Sequence, residues 1–137
     1  MKIAIINGPN LNLLGIREPG IYGRQTFEDF LKGLKEKYPG VQIDYFQSNV
    51  EGELVSELQR TGFSYDGILL NAAAYTHTSV AIGDAVSAIK TPVIEIHISN
   101  VAAREEFRQR SLIASKCVGS ITGLGLKGYE LGLQYFL

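Results

Sequence analysis

The feature that most constrains the fold is an alternation of short apolar runs with amphipathic stretches. Runs rich in Ile, Val and Leu are typical of strands that are buried on both faces of a parallel sheet. The five candidate strands are residues 2–7, 41–47, 67–71, 92–97 and 117–121. The candidate helices that separate or follow them are residues 26–38, 50–61, 79–89 and 128–137.

Local signals support these helix limits. Thr26 is suited to cap the first helix, and Pro39 with Gly40 ends it. Because β and α elements alternate, right-handed crossovers predict a doubly wound parallel sheet. We expect one α/β domain over residues 1–137, with a flavodoxin-like strand order of 2-1-3-4-5.

Composition excludes several classes of function. With 137 residues, 45% hydrophobic and 20% charged, the chain has the composition of one folded domain. Its net charge of -1 gives no bulk attraction for nucleic acid or for an anionic membrane. No apolar run is long enough for a membrane span. The only cysteine, Cys117, cannot form an internal disulfide, so we expect a cytoplasmic protein in which Cys117 is a buried apolar side chain without function.

Polar residues collect where the predicted strands end. Ligands of open α/β sheets bind outside the carboxyl ends of the strands. Amide, serine and histidine side chains lie at or directly after the ends of the predicted strands. Any one of these residues could simply form a turn. Four such ends at one edge of the sheet favour a binding site. These ends lie at residues 7–12, 47–49, 71 and 97–100.

Glu95 and His97 form a candidate acid. Residues two apart on a strand point to the same face, so the Glu95 carboxylate can accept a hydrogen bond from the His97 ring. Such a bond fixes the tautomer and orientation of the ring, which suits a general acid. A purely structural histidine is the alternative.

His77 and Asp84 lie near the predicted third helix, at positions too far apart to contact the same ligand within one subunit. His77 lies near the helix N-terminus and is expected to be a hydrogen-bonding partner for a ligand. Asp84 shares its helical face but lies about 10 Å further along the axis. Asp84 is therefore either a solvated or structural carboxylate, or it serves the site of a neighbouring subunit.

The segment Ile98, Ser99 and Asn100 precedes a predicted short helix that contains Arg104 and Arg108. A serine hydroxyl with backbone N–H groups at this position can bind an anion. Arg108 can hold a carboxylate or a ligand hydroxyl, although for an arginine taken by itself an ion pair with Glu105 inside the helix is the preferred interpretation.

The longest irregular segment, residues 8–25, suggests a lid or binding loop. It contains Arg17 and Tyr22. A free tyrosine has a pKa near 10, so a tyrosine base needs a nearby cation such as this arginine. Tyr22 as a packing residue is the alternative.

An ordered set of short motifs resembles the type II 3-dehydroquinate dehydratases over essentially the whole chain. The motifs are residues 7–15 (NGPNLNLLG), 17–19 (REP), 22–23 (YG), 47–49 (QSN), 51–52 (EG), 77–81 (HTSVA), 95–100 (EIHISN), 104–108 (REEFR) and 123–125 (GLG). The resemblance implies dehydration of 3-dehydroquinate to 3-dehydroshikimate in the shikimate pathway, by anti elimination through an enolate and without metal or cofactor.

The resemblance also implies a role for each site residue. Tyr22, activated by Arg17, would be the base and His97 the acid. Asn10 would position a water near the enolate oxygen, and Glu95 would orient His97. The groups implied to hold the substrate are Asn71, His77, Arg108 and the backbone of Ile98 and Ser99. Members of the family form trimers that assemble into dodecamers, and the resemblance places Asp84 in a neighbour's site.

Two positions depart from the family pattern. Gly83 stands where a basic residue is usual, and Ala102 stands where a larger His or Tyr is common. A glycine inside a helix costs about 1 kcal/mol relative to alanine, so Gly83 is expected to weaken that helix and a subunit contact.

Other functions fit the sequence less well. A flavodoxin-like nucleotide or phosphate binder would use residues 8–10, but the G-x-G-x-x-G and Walker motifs are lacking. A signalling domain would need acidic strand ends, and a metal site at His77 and His97 lacks a third ligand.

Overall fold

The computed structural model describes residues 1–16 and 25–137. Along the chain, the strands and α-helices are β1 (Lys2–Asn7), α1 (Phe27–Lys37), β2 (Gln42–Gln47), α2 (Glu51–Thr61), β3 (Gly67–Asn71), α3 (Val80–Ala88), β4 (Val93–His97), β5 (Gly119–Thr122) and α4 (Lys127–Phe136). Short 3-10 turns occupy several of the connections.

The five strands form one parallel sheet in the order β2-β1-β3-β4-β5, which confirms the sequence prediction. In the register of the sheet, Asn7 lies beside both Gln47 and Asn71, so these amide side chains meet at the carboxyl edge. Glu95 of β4 lies beside Ser120 of β5. The sheet order therefore brings together residues that are far apart in the sequence.

Each face of the sheet has its own apolar core. On one face, Ile5 and Ile96 pack in a cluster with Phe27 of α1 and Tyr129 of α4. On the opposite face, Val93 belongs to a cluster with residues of α2 and α3. Because side chains alternate along a strand, Glu95 and His97 point toward the α2 and α3 face.

Every predicted limit of a strand or α-helix lies within two residues of the observed one. The Thr26 hydroxyl accepts from the Asp29 backbone N–H, so Thr26 is the predicted cap of α1. The predicted fifth strand starts two residues too early: β5 begins at Gly119, because Cys117 is the residue that follows and closes the 3-10 turn Ala114–Lys116. Cys117 is only partly buried, and burial raises the pKa of its thiol to about 12. A thiol with that pKa stays protonated at neutral pH, in keeping with the absence of an assigned role.

The predicted short helix around Arg104 and Arg108 was also wrong in type. The chain forms two 3-10 turns there, Val101–Ala103 and Glu106–Gln109. The Asn100 side chain accepts from the Ala102 backbone N–H and starts the first turn. No helix of the described residues is long and apolar enough to cross a membrane.

Gly83 has a packing role in α3 in addition to its expected cost in helix propensity. It is buried in α3, and a β-carbon at this position would lie 2.7 Å from the backbone oxygen of Leu112. The glycine permits close packing of α3 against residues 111–116, so it contributes to the tertiary structure as well as lowering intrinsic helix propensity.

Candidate active site

A cleft of about 100 Å³ opens at the carboxyl edge of the sheet. It lies where β1, β3 and β4 end, the position expected for a ligand site in an open α/β sheet. Its lining combines small residues with amide, imidazole and guanidinium groups. The lining residues are Pro9, Asn10, Leu11, Asn71, Ala73, Ala74, His77, His97, Ile98, Ser99, Val101, Arg104 and Arg108.

Asn10 enters the cleft from the turn after β1. Its backbone is left-handed, with φ of 70°, a conformation that asparagine tolerates better than most residues. Its backbone N–H donates to the Asn49 side-chain oxygen over 3.0 Å. The amide of Gln47 donates to the same oxygen, so the end of β2 fixes the turn that carries Asn10.

Asn71 is held from behind by a buried tyrosine. The Tyr129 hydroxyl donates to Oδ1 of Asn7 over 2.8 Å and accepts from Nδ2 of Asn71 over 2.9 Å. Tyr129 is completely buried, and burial raises the pKa of its phenol far above the usual value. The hydroxyl is therefore neutral and can make both bonds. Tyr129 of α4 thus orients amide side chains at the ends of β1 and β3.

Glu95 and His97 form the predicted pair. Nε2 of His97 lies 2.9 Å from Oε2 of Glu95, and both side chains are buried. The Glu95 carboxylate also accepts from the hydroxyls of Ser111 and Ser120, over 2.7 and 2.6 Å. Burial by itself would raise the pKa of Glu95, but the hydrogen bonds from His97, Ser120 and Ser111 outweigh it and hold the pKa below its ordinary value. Glu95 is therefore a buried carboxylate anion next to the ring.

His77 lies beside His97 in the cleft. Their rings are nearly parallel, with centroids 6.3 Å apart. Nδ1 of His77 lies 2.8 Å from the Arg110 backbone oxygen. Because a carbonyl oxygen can only accept, Nδ1 is the donor, and Nε2 is the ring nitrogen that remains for a ligand.

Two arginines supply positive charge to the cleft. Arg108 donates from Nε to the Glu105 carboxylate over 3.2 Å, and this contact holds the pKa of Glu105 below its ordinary value. The ion pair that the sequence left open is therefore present, and Arg108 lines the cleft as well. Arg104 was missed as a site residue although its four-residue spacing from Arg108 was visible. It lines the cleft and contacts the Ser99 hydroxyl over 3.4 Å.

The remaining predicted site residues divide into two groups. Asp84 is exposed on α3 and is absent from the cleft lining of the described residues. Arg17 and Tyr22 lie outside the described residues. Ser111, Ser120 and Tyr129 were not anticipated as supports of the site. Among residues 1–16 and 25–137, no group of three His, Cys, Asp or Glu side chains could hold a metal ion.

The fold and the cleft define a flavodoxin-like α/β protein whose cleft holds an imidazole–carboxylate pair, an arrangement able to transfer a proton, and two arginines, which can bind an anion. The family model for class II dehydroquinases matches residues 1–137. The chain therefore belongs to the class II dehydroquinase family.

Individual relatives agree with this membership. The 3-dehydroquinate dehydratase of Campylobacter lari is 53% identical over 98% of this chain and 85% of its own length. That of Fusobacterium nucleatum is 50% identical over 100% of this chain and 97% of its own length. The crystal structure of the type II dehydroquinase from Butyrivibrio crossotus has a TM-score of 0.95 at 45% identity, covering 99% of this chain and 97% of that one.

Proposed function

We propose that the protein dehydrates 3-dehydroquinate to 3-dehydroshikimate in the shikimate pathway, by anti elimination through an enolate. The observation that carries the proposal is His97 at the cleft, backed by the buried Glu95 carboxylate. This arrangement suits a general acid, and the family and the names of the relatives support the substrate.

In the proposed reaction, a base removes a proton from the carbon beside the ketone, and the electron pair left behind forms the enolate. Tyr22 is assigned as this base with Arg17 as its activating cation, since a phenolate needs a neighbouring positive charge at neutral pH. Both residues precede α1 in the segment that follows Asn10 and Leu11 of the cleft lining.

Collapse of the enolate then expels the hydroxyl group, which leaves as water. His97 donates the proton to that hydroxyl, and the Glu95 carboxylate orients the ring. Asn10 is assigned to position a water near the enolate oxygen. Hydrogen bonds to that oxygen stabilise charge that develops only during the reaction.

The remaining cleft groups are assigned to hold the substrate. The amide of Asn71 and Nε2 of His77 suit hydroxyl groups. The guanidinium of Arg108 and the backbone of Ile98 and Ser99 suit the substrate carboxylate. Several fixed contacts around one small molecule bring the reacting atoms into line with acid and base.

Asp84 is assigned to the site of a neighbouring subunit in a trimer, four of which form a dodecamer. Its exposure on α3 and its position outside the cleft lining support this assignment. Native mass spectrometry tests the assembly, and a monomer at assay concentration would contradict it.

The reaction itself is tested by incubating the purified protein with 3-dehydroquinate and following the absorbance of the conjugated product. The wild type is expected to form product, whereas Tyr22→Phe is expected to bind substrate and lose turnover by about 10²-fold or more. Tyr135→Phe, which removes a hydroxyl from an exposed tyrosine, is the matched control. If the wild type forms no product in metal-free buffer, the proposal is wrong.

A further inference from the structure

The Glu95 carboxylate is fixed from three directions. It is 2% exposed, and its three hydrogen-bond donors come from three separate parts of the chain. His97 and Ser111 both contact Oε2, whereas Ser120 contacts Oε1. A carboxylate held at both oxygens cannot rotate, so the direction in which it accepts from His97 is fixed as well.

The hydrogen bond between Ser111 and Glu95 has only one possible direction, with Ser111 as the donor. The Ser111 hydroxyl oxygen accepts from the backbone N–H groups of Ile113 and Ala114, over 3.2 and 3.0 Å. Its single proton is therefore directed to Glu95, which must accept it. An acceptor role at Oε2 agrees with the lowered pKa of Glu95, which indicates that this carboxyl is the anion. Its charge reaches the partly buried Cys117, where it adds to burial in raising the pKa of the thiol.

The Ser120 contact depends on the sheet. Ser120 is the register partner of Glu95 on the adjacent parallel strand, so both side chains point to the same face. The hydroxyl lies 2.6 Å from Oε1. Ser120 itself is exposed at the edge of the sheet, and it lies behind Glu95 and outside the lining of the cleft.

From these contacts we infer that Ser120 and Ser111 are positioning residues for the acid step, acting on His97 through the Glu95 carboxylate. With Glu95 fixed as an anion, Nε2 of His97 remains an N–H donor to it, and Nδ1 is the nitrogen left to carry a proton to the substrate. The inference rests on the proposed dehydration for its catalytic consequence, whereas the Ser120–Glu95 contact can be tested without turnover.

Ser120→Ala is the sharper variant, because the Ser111 hydroxyl also accepts from the backbone N–H groups of Ile113 and Ala114. Ser120→Thr keeps the hydroxyl and suits an edge strand. Ser115→Ala, at an exposed serine in the nearby 3-10 turn, is the matched control. Steady-state kinetics with 3-dehydroquinate give kcat and KM for each variant. Carbon-13 NMR of glutamate-labelled protein, with the Glu95 signal assigned from Glu95→Gln, gives the titration of the carboxyl.

In Ser120→Ala, kcat is expected to fall about tenfold with KM within about twofold, because the groups that hold substrate are untouched. The midpoint of the Glu95 titration is expected to rise by about one pH unit as a donor to the anion is lost. Ser120→Thr and Ser115→Ala should match the wild type in both measurements.

An unchanged Glu95 titration in Ser120→Ala would overturn the inference, whatever happened to kcat. Equal losses of kcat in the alanine and threonine variants would also overturn the inference. The threonine variant keeps the hydroxyl, so an equal loss would be caused by altered packing. If the wild type forms no product, the proposed dehydration fails, and the Glu95 titration alone decides whether Ser120 positions the carboxylate.

Discussion

Removal of the Tyr129 hydroxyl tests whether the amides at the sheet edge depend on α4. In Tyr129→Phe, Oδ1 of Asn7 loses a donor and Nδ2 of Asn71 loses an acceptor. These asparagines are 0% and 3% exposed, so water cannot replace the hydroxyl without movement of the surrounding core. The ring itself stays in place, packed against Phe27 with centroids 5.0 Å apart.

The expected magnitude follows from the two unpaired groups. A buried donor or acceptor left without a partner costs about 1–3 kcal/mol. Partial relaxation reduces the sum, so we expect the free energy of unfolding to fall by about 2–4 kcal/mol. That is a large part of the roughly 5–15 kcal/mol that stabilises a typical domain.

Urea denaturation followed by circular dichroism measures this loss. With a slope of about 2 kcal/mol per molar urea, the midpoint should fall by about 1–2 M. Tyr135→Phe is the matched control, because Tyr135 lies on the same helix and is 61% exposed. A midpoint for Tyr129→Phe that equals that of the control would refute the role assigned to the hydroxyl.

Two further stability predictions concern α3 and α4. Gly83→Ala should lower the free energy of unfolding by about 1–3 kcal/mol, because the new β-carbon would meet a backbone oxygen. Gly33→Ala, at an open position of α1, should raise the free energy of unfolding by about 0.5–1 kcal/mol. The urea midpoints of the two variants should therefore move in opposite directions, and a higher midpoint in both would contradict the packing argument. Hydrogen bonds from Lys37, Tyr38 and Lys127 hold the pKa of Glu130 at about 2. Because this pKa lies below the ordinary value of 4.5, the contribution of Glu130 is complete above about pH 5 and is lost as the pH falls toward 2. Because Lys37 and Lys127 are exposed and their charges are screened by solvent, we expect Glu130→Gln to lower the free energy of unfolding by only about 1 kcal/mol at pH 7. The free energy of unfolding of the variant should approach that of the wild type near pH 2. A difference that stays constant with pH would contradict a contribution from the ion pairs.

The fold was largely predictable because its signals are local. Thr26 caps α1 through a contact with Asp29, three residues away, and the buried strands β1 and β3 consist mainly of apolar residues. The start of β5 was not predictable in the same way. Cys117 and Val118 continue an apolar run, but a 3-10 turn and a bond from the Val118 N–H to the Val93 oxygen place them before the strand.

The lining of the cleft was predicted from the strand ends and the family resemblance, whereas the contacts that support it were predictable only where they are short in sequence. Glu95 and His97 are two residues apart on one strand, so their pairing follows from strand geometry. The hydroxyls of Ser111 and Ser120 reach Glu95 from 16 and 25 residues away. Tyr129 reaches Asn71 across 58 residues. Such contacts depend on strand register and helix packing, which a single sequence does not specify.

Ser120, which contacts Glu95 behind the cleft, lies on β5, a strand at the edge of the sheet. An edge strand is paired on one side only, and β5 has four residues, which are exposed or half-buried. Segments with few buried contacts open locally at lower free energy than the core. Each opening of β5 would separate Ser120 from Glu95 and loosen Ile121 from the margin of one apolar cluster, while the fully buried residues of both clusters stay packed. We therefore expect activity to fall on heating at temperatures below those at which the sheet as a whole melts.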